Sequence, residues 1–191
     1  MYRTEVWFIM RKEWDANTIG RVFGIIDEAL YSMALYSEIN PSDRDNTIFD
    51  PYLRKFWKTI SDNAVLISVI QWCKIFGSEG NNKTHYTHFV DRELFMSKLN
   101  NISFEVFSDN MKNIRDKFAG HEDKEEDRVA IPSFDTARKI MEAFRKTVQE
   151  EYDIPEITPI SVTFTAYRLQ VRDQLKECRI DWTLSDEDEP D

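Results

Sequence analysis

The sequence predicts an all-α protein built as an antiparallel up-and-down helical bundle, with short extra helices, and three observations predict it. Helix breakers are scarce: six prolines and five glycines in 191 residues. Pro41, Pro51, Pro132, Pro155, Pro159 and Pro190 leave long stretches between them, and a proline inside a helix costs about 3 kcal/mol. Within those stretches apolar residues recur at three- and four-residue intervals. Aromatic residues make up 13% of the chain and apolar residues 41%, enough to bury a core in one domain spanning residues 1–184.

The first helix is predicted from Asn17 to Ile39, where Val22, Ile25, Ile26, Ala29, Leu30 and Met33 form one apolar face. The preceding run Val6-Trp7-Phe8-Ile9-Met10 is too short for periodicity to separate helix from extended chain. Asn40 to Asn46 is a loop by composition. A second helix opens at Asp50-Pro51, an N-cap residue followed by proline at the first helical position, and runs to about Phe76. It is apolar nearly all round after Asn63, which predicts a place at the centre of the core, with Trp57 and Trp72 buried. Gly77 to Lys83 reads as a flexible loop.

A short helix from Asp91 to Leu99 follows, then one from Ser103 to about Ala119 with Gly120 at its C-terminal cap. His121 to Asp127 is a charged turn. Ser133 caps the next helix, whose Phe134, Ala137, Met141, Phe144 and Val148 keep a seam-like rhythm that reads as core first. After Pro155 and Pro159 a last helix runs from about Ser161 to Arg179, with Phe164, Val171 and Leu175 on one face. Residues 185–191 form an acidic tail predicted to be disordered.

The formal charge is −10, which argues against a protein that coats nucleic acid through bulk charge but leaves room for a local basic groove. No run of about 18 apolar residues predicts a membrane span, and the opening residues lack the apolar core of a signal peptide. Cys73 and Cys178 have no paired spacing and read as reduced thiols, so the expected location is cytoplasmic. Trp7, Trp14 and Trp182 read as core or as aromatic surface sealing a dimer.

Phosphate-binding loops, HExxH, GxSxG and cysteine-rich zinc patterns are missing from the sequence. His85 and His88, three apart, could share a metal if they lay on one helix, but a third ligand is lacking, and neither metal nor cofactor is assigned. Cys73 reads as a small buried hydrophobe. The segment Arg115-Asp116-Lys117-Phe118-Ala119-Gly120-His121 is different. It puts a permanent cation and a titratable imidazole at the end of one helix. A guanidinium can fork onto phosphate oxygens, and an imidazole can move a proton near neutral pH, which together suffice for cleaving RNA without a metal.

This segment resembles the R-x(4–6)-H motif of HEPN-domain proteins, in which the second position is usually polar, as Asp116 is here. Gln71-Trp72-Cys73-Lys74-Ile75-Phe76-Gly77, followed by Thr84-His85-Tyr86, is similar to the AbiU-like branch linked to abortive infection and toxin systems. The resemblance implies a metal-independent endoribonuclease acting in cellular or phage defence. Its composite site would form where two motifs meet across a homodimer two-fold. Arg115 would neutralise phosphate, His121 would be the general acid or base, and Asp116 would orient one of them. RNA is the implied substrate, and an antitoxin or other protein a possible partner. The alternative is a catalytically inactive helical module that binds a protein or nucleotide, favoured by the acids Glu122, Asp123, Glu125, Glu126 and Asp127 that follow His121.

Overall fold

The computed structural model describes residues 16–39, 54–120, 131, 133–155 and 157–177. These residues form an all-α helical bundle: α1 (Ala16–Ile39), α2 (Arg54–Phe76), a 3₁₀ turn (Tyr86–His88), α3 (Arg92–Ser97), α4 (Phe104–Gly120), α5 (Phe134–Tyr152) and α6 (Ile160–Glu177). Among the described residues there is no strand, and no helix is long and apolar enough to cross a membrane. Several expectations lie outside the described residues: the run from Val6 to Met10, the Asp50-Pro51 helix start, the turn from His121 to Asp127, Cys178, three of the tryptophans (Trp7, Trp14 and Trp182) and the acidic tail.

Every residue of the predicted α1 face, from Val22 to Met33, is buried. It is α1, not α2, that holds the middle of the bundle, packing on α2, α5 and α6. The expectation for α2 fails because that helix lies between α1 on one side and α4 on another, which leaves a third face open. Ala64, Val65, Val69, Trp72, Ile75 and Phe76 are buried, whereas Phe56 is 54% exposed, Ile67 44% and Ile70 36%. Trp57 is only half-buried. Apolar residues all round a helix therefore overstated its burial here.

The core condenses around Phe76 at the end of α2. Its ring lies 5.5 Å from Phe144 of α5, 6.1 Å from Phe104 of α4 and 6.1 Å from Phe95 of α3, and Tyr86 of the 3₁₀ turn stands 6.0 Å away. Five elements meet at that one side chain. The short α3 is held by Asp91, whose Oδ1 accepts from the Leu94 N–H at 2.9 Å while its own N–H donates to Glu151 of α5. Ser133 caps α5 as predicted, accepting from the Thr136 N–H at 3.3 Å. At the other end of α5, Asp153 takes a left-handed conformation, φ 50°, a position open to Asp because its short polar side chain tolerates it.

The segment after α2 is pinned, not flexible as its glycines and asparagines suggested. A helix leaves its last carbonyls without partners, and this loop supplies them. Asn82 Nδ2 and Thr84 Oγ1 both donate to the Lys74 carbonyl at 2.7 Å, Ser108 Oγ of α4 donates to the Phe76 carbonyl at 2.9 Å, and His85 Nε2 meets the Gly77 carbonyl at 3.2 Å. On α1, the fully covered Glu38 carboxylate receives Arg168 Nε at 2.7 Å and Arg172 Nε at 3.1 Å, which ties α6 to α1. Burial pushes the Glu38 carboxyl up, and the two guanidinium groups outweigh it, so it sits below the ordinary glutamate range.

Candidate functional site

Helix α4 buries Phe104, Ser108, Met111 and Ile114, spaced four, three and three residues apart, so its inner face is fixed by periodicity. Arg115 follows Ile114 and stands at the margin of that face, with its side chain 33% exposed. Asp116 turns outward and holds it: Arg115 Nε donates to Asp116 Oδ1 at 2.8 Å, and Nη2 reaches the same oxygen at 2.7 Å. One edge of the guanidinium is thus engaged by a single carboxylate oxygen. One turn earlier Lys112 pairs with Asp109 at 2.7 Å. Among the site residues expected from the sequence, the structure brings Arg115 and Asp116 together, while His121 lies outside the described residues.

Behind this end of α4 lies Cys73 of α2. Burial pushes its thiol up to about 11 against the opposing field of Arg115, so it stays protonated at neutral pH and serves as a packing residue. His85 is the extended residue just before the 3₁₀ turn and His88 is the last residue of it, so the two do not share a helix face, and their ring centroids are 6.3 Å apart. Both are turned to protein acceptors. His85 Nε2 faces a carbonyl and so carries the proton, leaving Nδ1 to accept from Thr87 Oγ1 at 2.7 Å. The Thr87 hydroxyl also stands 3.0 Å from Glu79 Oε1, so its one proton serves one of these acceptors at a time. His88 Nε2 meets the Asn82 carbonyl at 3.1 Å. Burial lowers the His85 imidazole below the ordinary histidine range. Among the described residues no three His, Cys, Asp or Glu side chains are grouped to hold a metal ion.

A cavity of about 830 Å³ opens between α5, the turn from α3 to α4, and the start of α6. Neither Arg115 nor Asp116 lines it, and each of its four cations pairs with one of its three acids. Lys139 and Arg138 pair with Asp135 at 2.7 and 3.1 Å, Lys146 with Glu142 at 3.2 Å, and Lys98 with Glu150. A smaller cavity of about 410 Å³ lies between α1, α2 and α6, and Asp27, Glu28, Tyr31 and Tyr167 line it. Sequence reasoning missed it. The available signal was Gly20, Gly24, Glu28 and Tyr31 following one another at helical spacing, two residues without side chains beside two with polar ones.

No family model matches the chain, and no solved structure matches it. It is similar over 72 residues, at 36% identity, to the disease resistance protein CHL1 of Arabidopsis thaliana. That stretch is 38% of this chain and 15% of the plant protein.

Proposed function

We propose that this chain is a HEPN-type, metal-independent endoribonuclease of the abortive-infection or toxin kind, acting in the cytoplasm as a homodimer. The observation that carries the reading is the placement of Arg115. It stands on the last turns of α4, half exposed at the margin of the buried face and held by Asp116, in an all-α bundle where the long α5 comes next. In this reading the Asp116 carboxylate orients the guanidinium, whose fork then stabilises charge on a phosphate as the ribose 2′-hydroxyl attacks. His121 moves the proton, to or from the 2′-oxygen or the leaving oxygen. Two copies of the motif across the two-fold supply two guanidinium and two imidazole groups to one scissile phosphate. A protein antitoxin is the partner such an activity calls for.

A second reading, a helical binding module without activity, draws on the same pair: Asp116 already neutralises much of Arg115, and the next acids in the sequence oppose an RNA backbone. RNA cleavage by the purified chain in EDTA separates the two. Wild type should release 2′,3′-cyclic phosphate ends. Arg115→Ala and His121→Ala should each lose about a hundredfold or more in rate, in keeping with removal of a charge-stabilising or proton-transferring group. Intact total RNA and tRNA after incubation with a well-folded dimer would move the assignment to the binding module.

A further inference from the structure

The face that α2 leaves open between α1 and α4 has a rhythm of its own. Phe56, Ile60, Asn63, Ile67 and Ile70 follow one another at four, three, four and three residues, the 3.5-residue repeat of a seam that meets another helix. Phe56, Asn63, Ile67 and Ile70 are exposed, and Ile60 and Leu66 are half-buried. The only charged residues between Phe56 and Ile70 are Lys58 and Asp62, which stand off the seam and pair with each other at 2.8 Å. In a chain with 31% charged residues, an outward apolar stripe about 21 Å long without a charge is a surface that calls for a cover.

Asn63 identifies the occupant. It stands at the middle of the stripe, seven residues from Phe56 and seven from Ile70. Against an apolar partner its carboxamide would be buried without hydrogen bonds, which is costly. A second copy turned about a two-fold at this residue presents the same carboxamide, so each N–H donates to the other's carbonyl oxygen. The same two-fold sets Phe56 against the partner's Ile70 and Ile60 against the partner's Leu66, which makes the stripe self-complementary.

Lys74 decides the direction. It is exposed and continues the rhythm four residues past Ile70. In a parallel pair it would face its own copy, like charge on like charge, whereas an antiparallel pair holds the two about 33 Å apart.

We propose that the open face of α2 is the contact surface of a homodimer, in which two α2 helices pack antiparallel about a two-fold at Asn63. One helix face is smaller than the roughly 800 Å² per partner of a standard interface, so the dimer is reversible, with a dissociation constant on the order of micromolar. Helix α4 begins beside Phe76 and runs back along α2, where Lys112, Arg115 and Asp116 act on the Cys73 thiol. Both copies therefore direct the Arg115 end of α4 toward the two-fold. The surface is argued from α2 alone; its bearing on catalysis, two Arg115 ends brought toward each other, rests on the ribonuclease reading.

The test is sedimentation equilibrium of the full chain from about 1 to 300 μM. Wild type should pass from monomer to dimer across that range. Ile67→Lys and Ile70→Lys, both at exposed positions, should each weaken the dimer by about tenfold or more and keep the wild-type melting temperature at concentrations where monomer prevails. Mild oxidation then locates the axis, in a Cys178→Ser background that leaves the buried Cys73 as the one native thiol. Asn63→Cys should form a disulfide-linked dimer, and Ile70→Cys, whose copy lies about 21 Å away, should not. Linkage at both positions would mean parallel helices and overturn the proposal. A dimer indifferent to both lysine variants would overturn this surface while leaving the homodimer of the ribonuclease reading in place. A monomer at every concentration, with melting temperatures lowered in both lysine variants, would overturn it too and assign the face to a segment of the same chain such as Val6 to Met10. RNA cleavage is read separately, so a seam dimer that leaves RNA intact supports the surface and sinks only the ribonuclease reading.

Discussion

Helix α4 has two unlike halves. Phe104, Ser108 and Met111 in the first are buried, and they lock onto the end of α2 through the Phe76 ring and the Ser108 hydrogen bond to the Phe76 carbonyl. Past Ile114, the last buried residue of this face, Asp116 and Lys117 are exposed, Phe118 is 40% exposed, and Arg115 is held by its neighbour Asp116. One rigid element thus carries a stabilising end and, in the function proposed above, a chemical end. Side chains at the first are fixed by many contacts each, and those at the second by one or two hydrogen bonds. Stability and function should therefore separate along a single helix.

The largest effect that can test this separation is at Phe76. Phe76→Ala removes a ring that touches α3, α4, α5 and the 3₁₀ turn, and a core Phe-to-Ala change typically costs about 3–5 kcal/mol. Urea unfolding should show that loss, while Arg115→Ala, at the other end of α4, should stay within about 0.5 kcal/mol of wild type. Comparable destabilisation by the two changes would mean that the outer half is structural and that the separation is false.

Gly77 gives the next largest effect. A Cβ at this position would collide with the carbonyl of Cys73, which is backbone and cannot swing aside. Gly77→Ala should therefore destabilise by more than the gain of up to about 1 kcal/mol that such a substitution brings where the backbone accepts it. Gly20 on α1, where a Cβ would meet nothing within 4 Å, is the internal control, and Gly20→Ala should stabilise by about 0.5–1 kcal/mol. Thermal melts of the two variants should move in opposite directions. A shared sign would show that the segment after α2 yields more readily than its hydrogen bonds indicate.

The inner half of this comparison was legible in the sequence. Periodicity alone marked the buried faces of α1 and α5, and the capping role of Ser133 followed from residue type and position, whereas Asp91, read only as the first residue of a short helix, is its N-cap. What periodicity could not carry was which of two apolar helices sits inside. Ile67 and Ile70 look the same in sequence whether a neighbour covers them or not, and the placement of α1 against α2, α5 and α6 decides it. Polar pairings across helices were equally hidden: Glu38 with Arg168 and Arg172 joins residues more than a hundred positions apart, and neither partner carries a local signal. The candidate site was half legible. Arg115 and Asp116 could be named because their chemistry and spacing form a local pattern, whereas the cavity of Asp27, Glu28, Tyr31 and Tyr167 exists only once α6 lies on α1.

The smallest effect probes the buried end through a proton. His85 is 5% exposed, and burial is the main reason its imidazole sits below the ordinary histidine range; Glu79 and the Gly77 carbonyl oppose that shift, while His88 and Arg92 add to it. The unfolded chain takes up a proton near pH 6.5, and the folded chain only at lower pH. Between those two values the unfolded state binds more protons, so stability is complete above about pH 6.5 and falls as pH drops through that window. Glu38, held below the ordinary glutamate range by its two arginines, loses its contribution only further down, below about pH 4.5, so the two effects are separable. His85→Gln keeps an N–H for the Gly77 carbonyl and cannot titrate. Urea midpoints between pH 5 and 7.5 should fall with acid in wild type and stay flat in the variant. Parallel slopes would place the acid sensitivity elsewhere and leave the pinning of α2 to Asn82, Thr84 and Ser108 alone.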